Sequence, residues 1–599
     1  MNKDSANLSS QSNSPRPPLP ESNPSAIPEQ ESRSLIQGES SLSAQSSFAN
    51  NFLTNSIGKN QESGLGTEMN EELTKLRQIV DAFRRTPLSQ EWTPTPPPRR
   101  DDYKLPPIET VVAFIRSTQG HFWYDGFNQL LSCENLSDLC LKIYFSNQYT
   151  DSEFIILNAS LILFSFDSNL DDTDEVPSKE RNNNNRSFLF LCRRNLETAI
   201  SRLPLLPPAT HDTVLALFLS AVYAIDISKP SLAWRLINTA SQISYMLGFH
   251  TRAEGADKST NVLNKHGRLF WILYLLDKHL SLQLGYSSPI QDRDITVPSP
   301  ASSHTPATGS MQYWQNLVNL ANIAGRIYED LYSPLSLALP ANERGSRAMK
   351  LAHEMQQNMV EAERELWFQS IRGEYPQHLA RFSFLSDDVF RQSMATLIHR
   401  AVPVHLDSET AFTEECIHSA RVALQAHEAC VATIIDNPRY LVMYFQWTVL
   451  FSPFIPFIVL FCHIVATGNT SDLARIQSFV ASIREAGEKS PAVVKLHRLF
   501  DVFCSVAQRF SGVGSAINTP QREEQMQINS YLVELGLQTG GNRTSSRLED
   551  GSDGREGLLR DGQSDISSAD QAKDNGTMDW TNQGLPLGNW VPLNQNMSE

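Results

Sequence analysis

Asp171, Asp172 and Glu175, in the stretch "NLDDTDE", are the first residues of this 599-residue chain whose types and spacing could do chemistry. Clustered carboxylates offer the hard oxygen ligands that Mg2+ takes up when it bridges to a diphosphate. That chemistry needs a second box of the form Asn/Asp-Asp-x-x-Ser-x-x-x-Glu. The nearest stretch, "SDDVFRQS" from Ser386 to Ser393, has Arg391 where the serine should stand. The first box also runs into "VPSKERNNNNR", which is loop composition, so solvated carboxylates are the simpler account. "HEMQQ" at His353 and "HEACV" at His427 open like a zinc-protease helix but lack the second histidine four positions on. The "GVG" of Gly512 to Gly514 has no preceding strand and no third glycine to cradle a phosphate. No Gly-x-Ser-x-Gly elbow occurs. The reading assigns no catalytic residue and no metal ligand.

"RLFWILYLLDKHLSLQLGYSSPIQDRDITVPSP", from Arg268 to Pro300, poses a different question. Its first half is an apolar helix-former broken by Asp277-Lys278-His279, and its second half is extended, Pro-punctuated and carries Asp292 and Asp294. At about 100° per residue, Arg268 and Asp277 fall on opposite sides of a helix and cannot pair. If buried, each needs a partner on another helix, because an unpaired buried charge is costly. Asp277 is expected to anchor its helix to the one from Ser231 to Gly248, with Arg235 and Asn238 as first partners. Gly285 is expected to end the helix, after which the Asp-rich extension crosses the body. Trp271, Tyr274 and Trp234 could line an effector pocket, although core aromatics explain them more simply.

The chain is 40% hydrophobic and 19% charged, with a net charge of −16, which excludes a chain basic overall that would wrap DNA electrostatically. Seven cysteines, an odd number with no Cys-x-x-Cys pair, read as reduced thiols and not as zinc knuckles or a disulfide framework. "LVMYFQWTVLFSPFIPFIVLFCHIVA", from Leu441 to Ala466, has the length of a membrane span. Pro453 and Pro456 in its middle, Gln446 and the lack of a basic flank point instead to a buried helix-turn-helix, and no membrane association is expected.

These segments need a scaffold, and the pattern supplies a helical one. Residues 1–68 are Ser-, Asn-, Pro- and Gln-rich and are expected to be a disordered arm. In residues 69–86, Leu73, Leu76, Val80 and Phe83 form a short apolar stripe, either a docked helix or a dimerising coiled coil. A Pro-rich linker covers 87–103. From 104 to 537 apolar residues recur at three and four, which predicts an all-α array of antiparallel helix pairs. Within it Asp212 and Ser231 are expected N-caps, and Gly248 a C-terminal stop. Residues 538–599 return to an acidic disordered tail, where Trp580, Leu585, Leu587, Trp590 and Leu593 suit an activation segment that folds on a partner.

The stretch from Arg268 resembles the signature of the fungal-specific transcription factor domain, also called the middle homology region. The pattern falls on Arg268, Phe270-Trp271, Tyr274, Asp277-Lys278, Leu284-Gly285, Pro289, Asp292, Asp294 and Pro298, with Tyr286 in place of the usual arginine. Thr213 to Arg252 is similar to the family's preceding helix pair, and Tyr444 to Ile483 to its late Pro-Phe-rich helix. The resemblance implies that Arg268, Trp271, Tyr274, Asp277, Gly285, Pro289 and Asp294 are a structural signature. It also implies a nuclear regulator of gene expression, possessing an all-α body and acting with the transcription machinery, as a homo- or heterodimer. Members carry an N-terminal zinc cluster that reads DNA, and no cysteine stands before Cys133. The expectation is therefore no cofactor unless such a cluster lies upstream, and DNA contact that is indirect or made through a zinc-cluster partner. The alternatives are a cofactor that dimerises with a zinc-cluster factor, and an all-α Mg2+-dependent terpene-cyclase-like enzyme.

Overall fold

The computed structural model describes residues 38–59, 103–118, 127–146, 148–165, 179–252, 265–299, 309–357, 377–404, 411–435, 438–451, 454–487 and 491–511, together with Tyr124 and single positions between 74 and 80. Every regular element among the described residues is helical, as the apolar periodicity requires. Asp171, Asp172, Glu175, most of the 87–103 linker and the 538–599 tail lie outside them.

Local chemistry sets the helix ends. Helix α4 (Asp151–Phe164) opens on a capping box, in which the Thr150 hydroxyl accepts from the Glu153 N–H while Glu153 accepts from the Thr150 N–H. Helix α6 (His211–Asp226) is capped by Thr210, not by Asp212, which sits in the first turn where its charge meets the helix dipole. Helix α7 (Pro230–Met246) starts on Pro230 with no side-chain cap, so Ser231 is already inside it. Gly248 then takes φ +72°, the left-handed turn that glycine adopts without a Cβ penalty.

Helices that are apolar on every side belong in the middle of a body. Helices α4 and α6 are buried along nearly their whole length, and so is the stretch after Pro456. The expected Leu441–Ala466 break is present. Helix α14 (Pro438–Tyr444) passes through a π turn (Phe445–Val449) and stops, and α15 (Pro456–Thr467) begins on Pro456. No helix among the described residues is long and apolar enough to cross a membrane.

The remaining elements follow in chain order: α1 (Leu42–Lys59), α2 (Ile108–Thr118), α3 (Leu136–Phe145), α5 (Lys179–Ser201), α8 (Lys265–Leu284), α9 (Gly309–Ile327), α10 (Pro334–Leu337), α11 (Ala341–Gln357), α12 (Gln377–Arg400), α13 (Glu414–Ile434), α16 (Thr470–Gly487) and α17 (Pro491–Phe510). Neighbours in sequence are mostly neighbours in space. α4 packs on α5 and α6, α6 on α7, α7 on α8, α8 on α9, α12 on α13, and α15 on α13 and α16. One hydrophobic core runs through all of these layers.

One expectation fails. Residues 38–59 fall inside the segment read as a disordered arm, yet α1 is folded against α15, with Ala49 and Leu53 buried. Its serines and asparagines are small enough to lie in a trough whose wall supplies the apolar surface that α1 lacks. Leu76 and Val80, from the expected 69–86 stripe, are buried within the same chain.

Candidate functional site

The segment from Arg268 to Pro298 folds back on itself and closes a clamp. Helix α8 ends in a Schellman turn: Gly285 takes φ +69°, the Tyr286 N–H donates to the Ser281 carbonyl at 2.9 Å, and the Gly285 N–H donates to Leu282 at 3.3 Å. The reversal brings Ser288 beside Asp277. The Ser288 hydroxyl donates to the Asp277 carboxylate, and Ser281 donates to its other oxygen at 3.4 Å. Asp277 is wholly buried, and burial raises its carboxyl to about 7, against the hydrogen bond from Ser288 and the nearby Lys278 charge.

This corrects the expected partner of Asp277. Arg235 is exposed and Asn238 donates to the Trp234 carbonyl of its own helix, so neither anchors the carboxylate.

Lys278 completes the clamp from the next position. Its side chain is 0% exposed, and its ammonium donates to the Ile290 carbonyl at 2.8 Å and meets Asp292 Oδ1 at 3.1 Å. The aliphatic stem runs against α9 at Gly325, where a Cβ would come within 2.9 Å of Lys278 Cδ. Asn322, one turn earlier on α9, donates to Asp292 Oδ2 at 2.9 Å and to the Tyr274 hydroxyl at 3.4 Å. The extension therefore joins α8 to α9 through one lysine, one aspartate and one asparagine.

Further along, Gln291 N–H donates to the Tyr245 hydroxyl at 3.1 Å, and Thr296 and Val297 N–H both donate to the His250 carbonyl. Trp271 Nε1 donates to the Pro298 carbonyl at 2.9 Å, and its ring meets Tyr274 edge-on at 5.3 Å. Trp234 pairs instead with Tyr286, at 4.7 Å. Pro289 is half-buried, and Asp294 is exposed near Arg293, at 3.9 Å. Of the expected residues, Trp271, Tyr274, Asp277 and Gly285 thus build the clamp, while Asp294 lies on its outer edge. Ser288, Asn322 and Gly325 were not singled out by the sequence reading, which named Lys278 only as part of the Asp277-Lys278 pair. The one available signal was the charge pair at Asp277-Lys278 within an apolar run, matched by a downstream Asp292.

Two other buried polar groups could suggest chemistry. His427 Nδ1 lies 2.7 Å from the Tyr444 hydroxyl and Nε2 lies 2.8 Å from Ser482 Oγ. The ring is 1% exposed and caged by Phe445, Phe454 and Phe479, and burial lowers its pKa to about 3. A neutral imidazole sealed among phenyl rings ties α13 to α16 and gives a substrate no route in. Asp472, 1% exposed, takes a two-point contact from Arg421 at 2.8 and 2.7 Å. His463 and Arg475 stand at 3.6 and 3.8 Å from the same carboxylate. This is a structural anchor between α13 and the first turn of α16. Among the described residues no group of three or more His, Cys, Asp or Glu could hold a metal ion.

The geometry is that of a braced helical body, and comparisons with known proteins show what it is similar to. Residues 145–375, which enclose the clamp, match the model of the fungal specific transcription factor domain. An uncharacterized transcriptional regulatory protein of Schizosaccharomyces pombe is 26% identical over 275 residues, covering 43% of this chain and 42% of that protein. An ABC-transporter-regulating transcription factor of Aspergillus oryzae is 27% identical over 130 residues, 20% of this chain and 14% of that protein. The fusaridione A cluster transcription factor of Fusarium heterosporum is 28% identical over 130 residues, 20% of this chain and 25% of that protein. The chain thus matches less than half the length of each of these relatives. No solved structure matches.

Proposed function

Because the chain carries a fungal specific transcription factor domain, we propose that it is a nuclear transcriptional regulator of a fungal metabolic, biosynthetic or transport gene set. The observation that carries this reading is the match over residues 145–375, centred on a segment whose buried residues are spent on bracing. The helical body acts as a rigid platform that transmits or restrains regulation. With a net charge of −16 on the chain, contact with DNA runs through a basic module outside the helical body.

The test is an RNA profile of a fungal strain lacking the chain, combined with its chromatin occupancy in the parent strain. A bounded group of genes changes, and the chain is found at their promoters. Occupancy nowhere above background, with no coherent expression change, would sink the proposal.

A further inference from the structure

We propose that the trough filled by α1 is a helix-receiving interaction surface, with α1 its exchangeable intramolecular occupant. The partner is a helix with small residues at the Gly285 crossing and apolar side chains where Gln45, Ser46 and Asn50 now stand.

The wall of the trough is as apolar as any part of the protein. α1 packs on α15, an apolar helix in which Ile458, Val459 and Leu460 are each 0% exposed, while Phe457 and Phe461 turn to Phe500 and Phe503 of α17. At one edge Arg400 of α12 lies over the Phe48 ring at 4.4 Å, and Phe412 stands 6.1 Å from the same ring. The other end is the terminus of the clamp helix. Gly38 N–H donates to the Leu284 carbonyl at 2.9 Å, and the Ser40 hydroxyl donates to the Leu282 carbonyl at 2.6 Å. The backbones of Gly38 and Gly285 touch there. A Cβ on Gly38 would sit 1.9 Å from the Gly285 oxygen, and one on Gly285 would sit 2.3 Å from Gly38 Cα. Gly285 therefore serves both as the stop of α8 and as the crossing for α1.

The occupant suits this wall poorly. Gln45, Ser46 and Asn50 are 1%, 0% and 7% exposed, and Gln45 Oε1, Ser46 Oγ and Asn50 Oδ1 have no hydrogen-bond partner among the described residues. Buried polar atoms left unpaired cost free energy that an apolar side chain would not. A helix that only ever lies in a core gains nothing from such residues, and α15 has almost none. A helix that must also exist in water needs them, because releasing it then exposes little apolar surface. Once α1 leaves, the α15 face is too apolar to remain open, so a better-matched helix takes its place. Its seat touches Leu282, Leu284 and Gly285, directly beside the Asp277–Ser288 brace, so exchange at the trough is felt at the clamp.

The test uses the full chain and two labelled peptides spanning residues 38–59, one native and one carrying Q45L, S46A and N50L. Fluorescence anisotropy reads binding, and hydrogen exchange reads the protection of α1 and α15. The apolar peptide binds the full chain at least about tenfold tighter than the native peptide, since it removes three unpaired buried atoms. On binding, the amides of 42–53 in the chain lose protection while those of α15 keep it. A full chain carrying Q45L and N50L itself holds α1 more firmly and binds the apolar peptide at least about tenfold more weakly. The proposal is overturned if neither peptide binds, if α1 exchanges only together with α15, or if the Q45L/N50L chain takes the peptide as readily as the unsubstituted one.

Discussion

Lys278→Met isolates the centre of the clamp, since methionine keeps most of the buried stem and removes the ammonium. The loss has three parts. The Ile290 carbonyl, on a fully buried residue, loses a charge-assisted hydrogen bond of 2.8 Å, worth about 1.5–3 kcal/mol. The ion pair with Asp292 adds about 0.5 kcal/mol at most, because that carboxylate's side chain is 35% exposed and turns to water. Asp277 loses a nearby positive charge that opposes the rise in its pKa. At a pH below about 7 this last part is small, because Asp277 is already largely protonated. Above that pH the carboxylate must ionise without its neighbour, so the deficit of the variant grows as pH rises. The local cost at neutral pH is about 3 kcal/mol, or roughly a hundredfold in an opening equilibrium. Hydrogen exchange of the amides of Gln291, Thr296 and Val297, which bond to Tyr245 and His250, reads that opening directly. Gly325→Val is the steric counterpart, because its side chain occupies the space of the Lys278 stem and loosens the same amides. Unchanged exchange in both variants, or a Lys278→Met deficit that shrinks from pH 6 to pH 8, would refute the reasoning.

Arg421→Met should cost about 3 kcal/mol of unfolding free energy, because it leaves the 1%-exposed Asp472 with only its longer contacts. Adding Asp472→Asn should recover part of that loss, and denaturant titration that finds the double variant no more stable than the single one would count against the anchor. His427 is lowered to about 3 in the folded state, so the unfolded chain takes up its proton first, and stability falls as pH drops below about 6.5. Relative to a His427→Gln variant, the parent should lose about 1.4 kcal/mol for each pH unit between 6.5 and 4.5. Parallel pH profiles in denaturant titrations would show that the imidazole is not held neutral.

Much of the fold was legible because helical apolar periodicity and helix stops are local signals. Gly248 and Gly285 end their helices as their positions suggested, and Pro456 starts a new one where a membrane span had to be weighed. The caps were misplaced by two residues each, Thr210 standing where Asp212 was expected and Lys229 where Ser231 was, since neighbouring polar residues near a helix start compete for one role. Asp277 was singled out as a charge that would need a partner if buried, and it is buried, but its partners are Ser281 of its own helix and Ser288 of the returning chain, not a second helix. Ser288 could not be found by projecting a straight helix, because it reaches the carboxylate only after Gly285 reverses the chain. Helix α1 was missed for a different reason. Composition reports whether a segment can bury its own apolar surface, and Leu42–Lys59 cannot. It folds on apolar surface supplied by α15, more than 390 positions away, and no window of local sequence contains that wall.

That dependence links the two ends of the clamp helix. The Lys278 ammonium grips the Ile290 carbonyl from inside α8, while the terminal carbonyls of the same helix at Leu282 and Leu284 are taken by Ser40 and Gly38. Carbonyls at a helix end are unsatisfied by the helix itself and need outside donors. When α1 is seated, the Leu284 carbonyl gains a donor, the Leu282 carbonyl gains a second one beside the Gly285 N–H, and the Gly285 turn is pressed against Gly38. When α1 leaves, those carbonyls return to water and the turn that carries Ser288 to Asp277 loses its backstop. The extension is then held by Lys278, Asn322, Tyr245 and His250, whose contacts all fall on residues beyond that turn. Release of α1 should therefore loosen Tyr286 to Ser288 first and leave Thr296 and Val297 protected. The order would reverse if the clamp, and not the trough, were the part that yields.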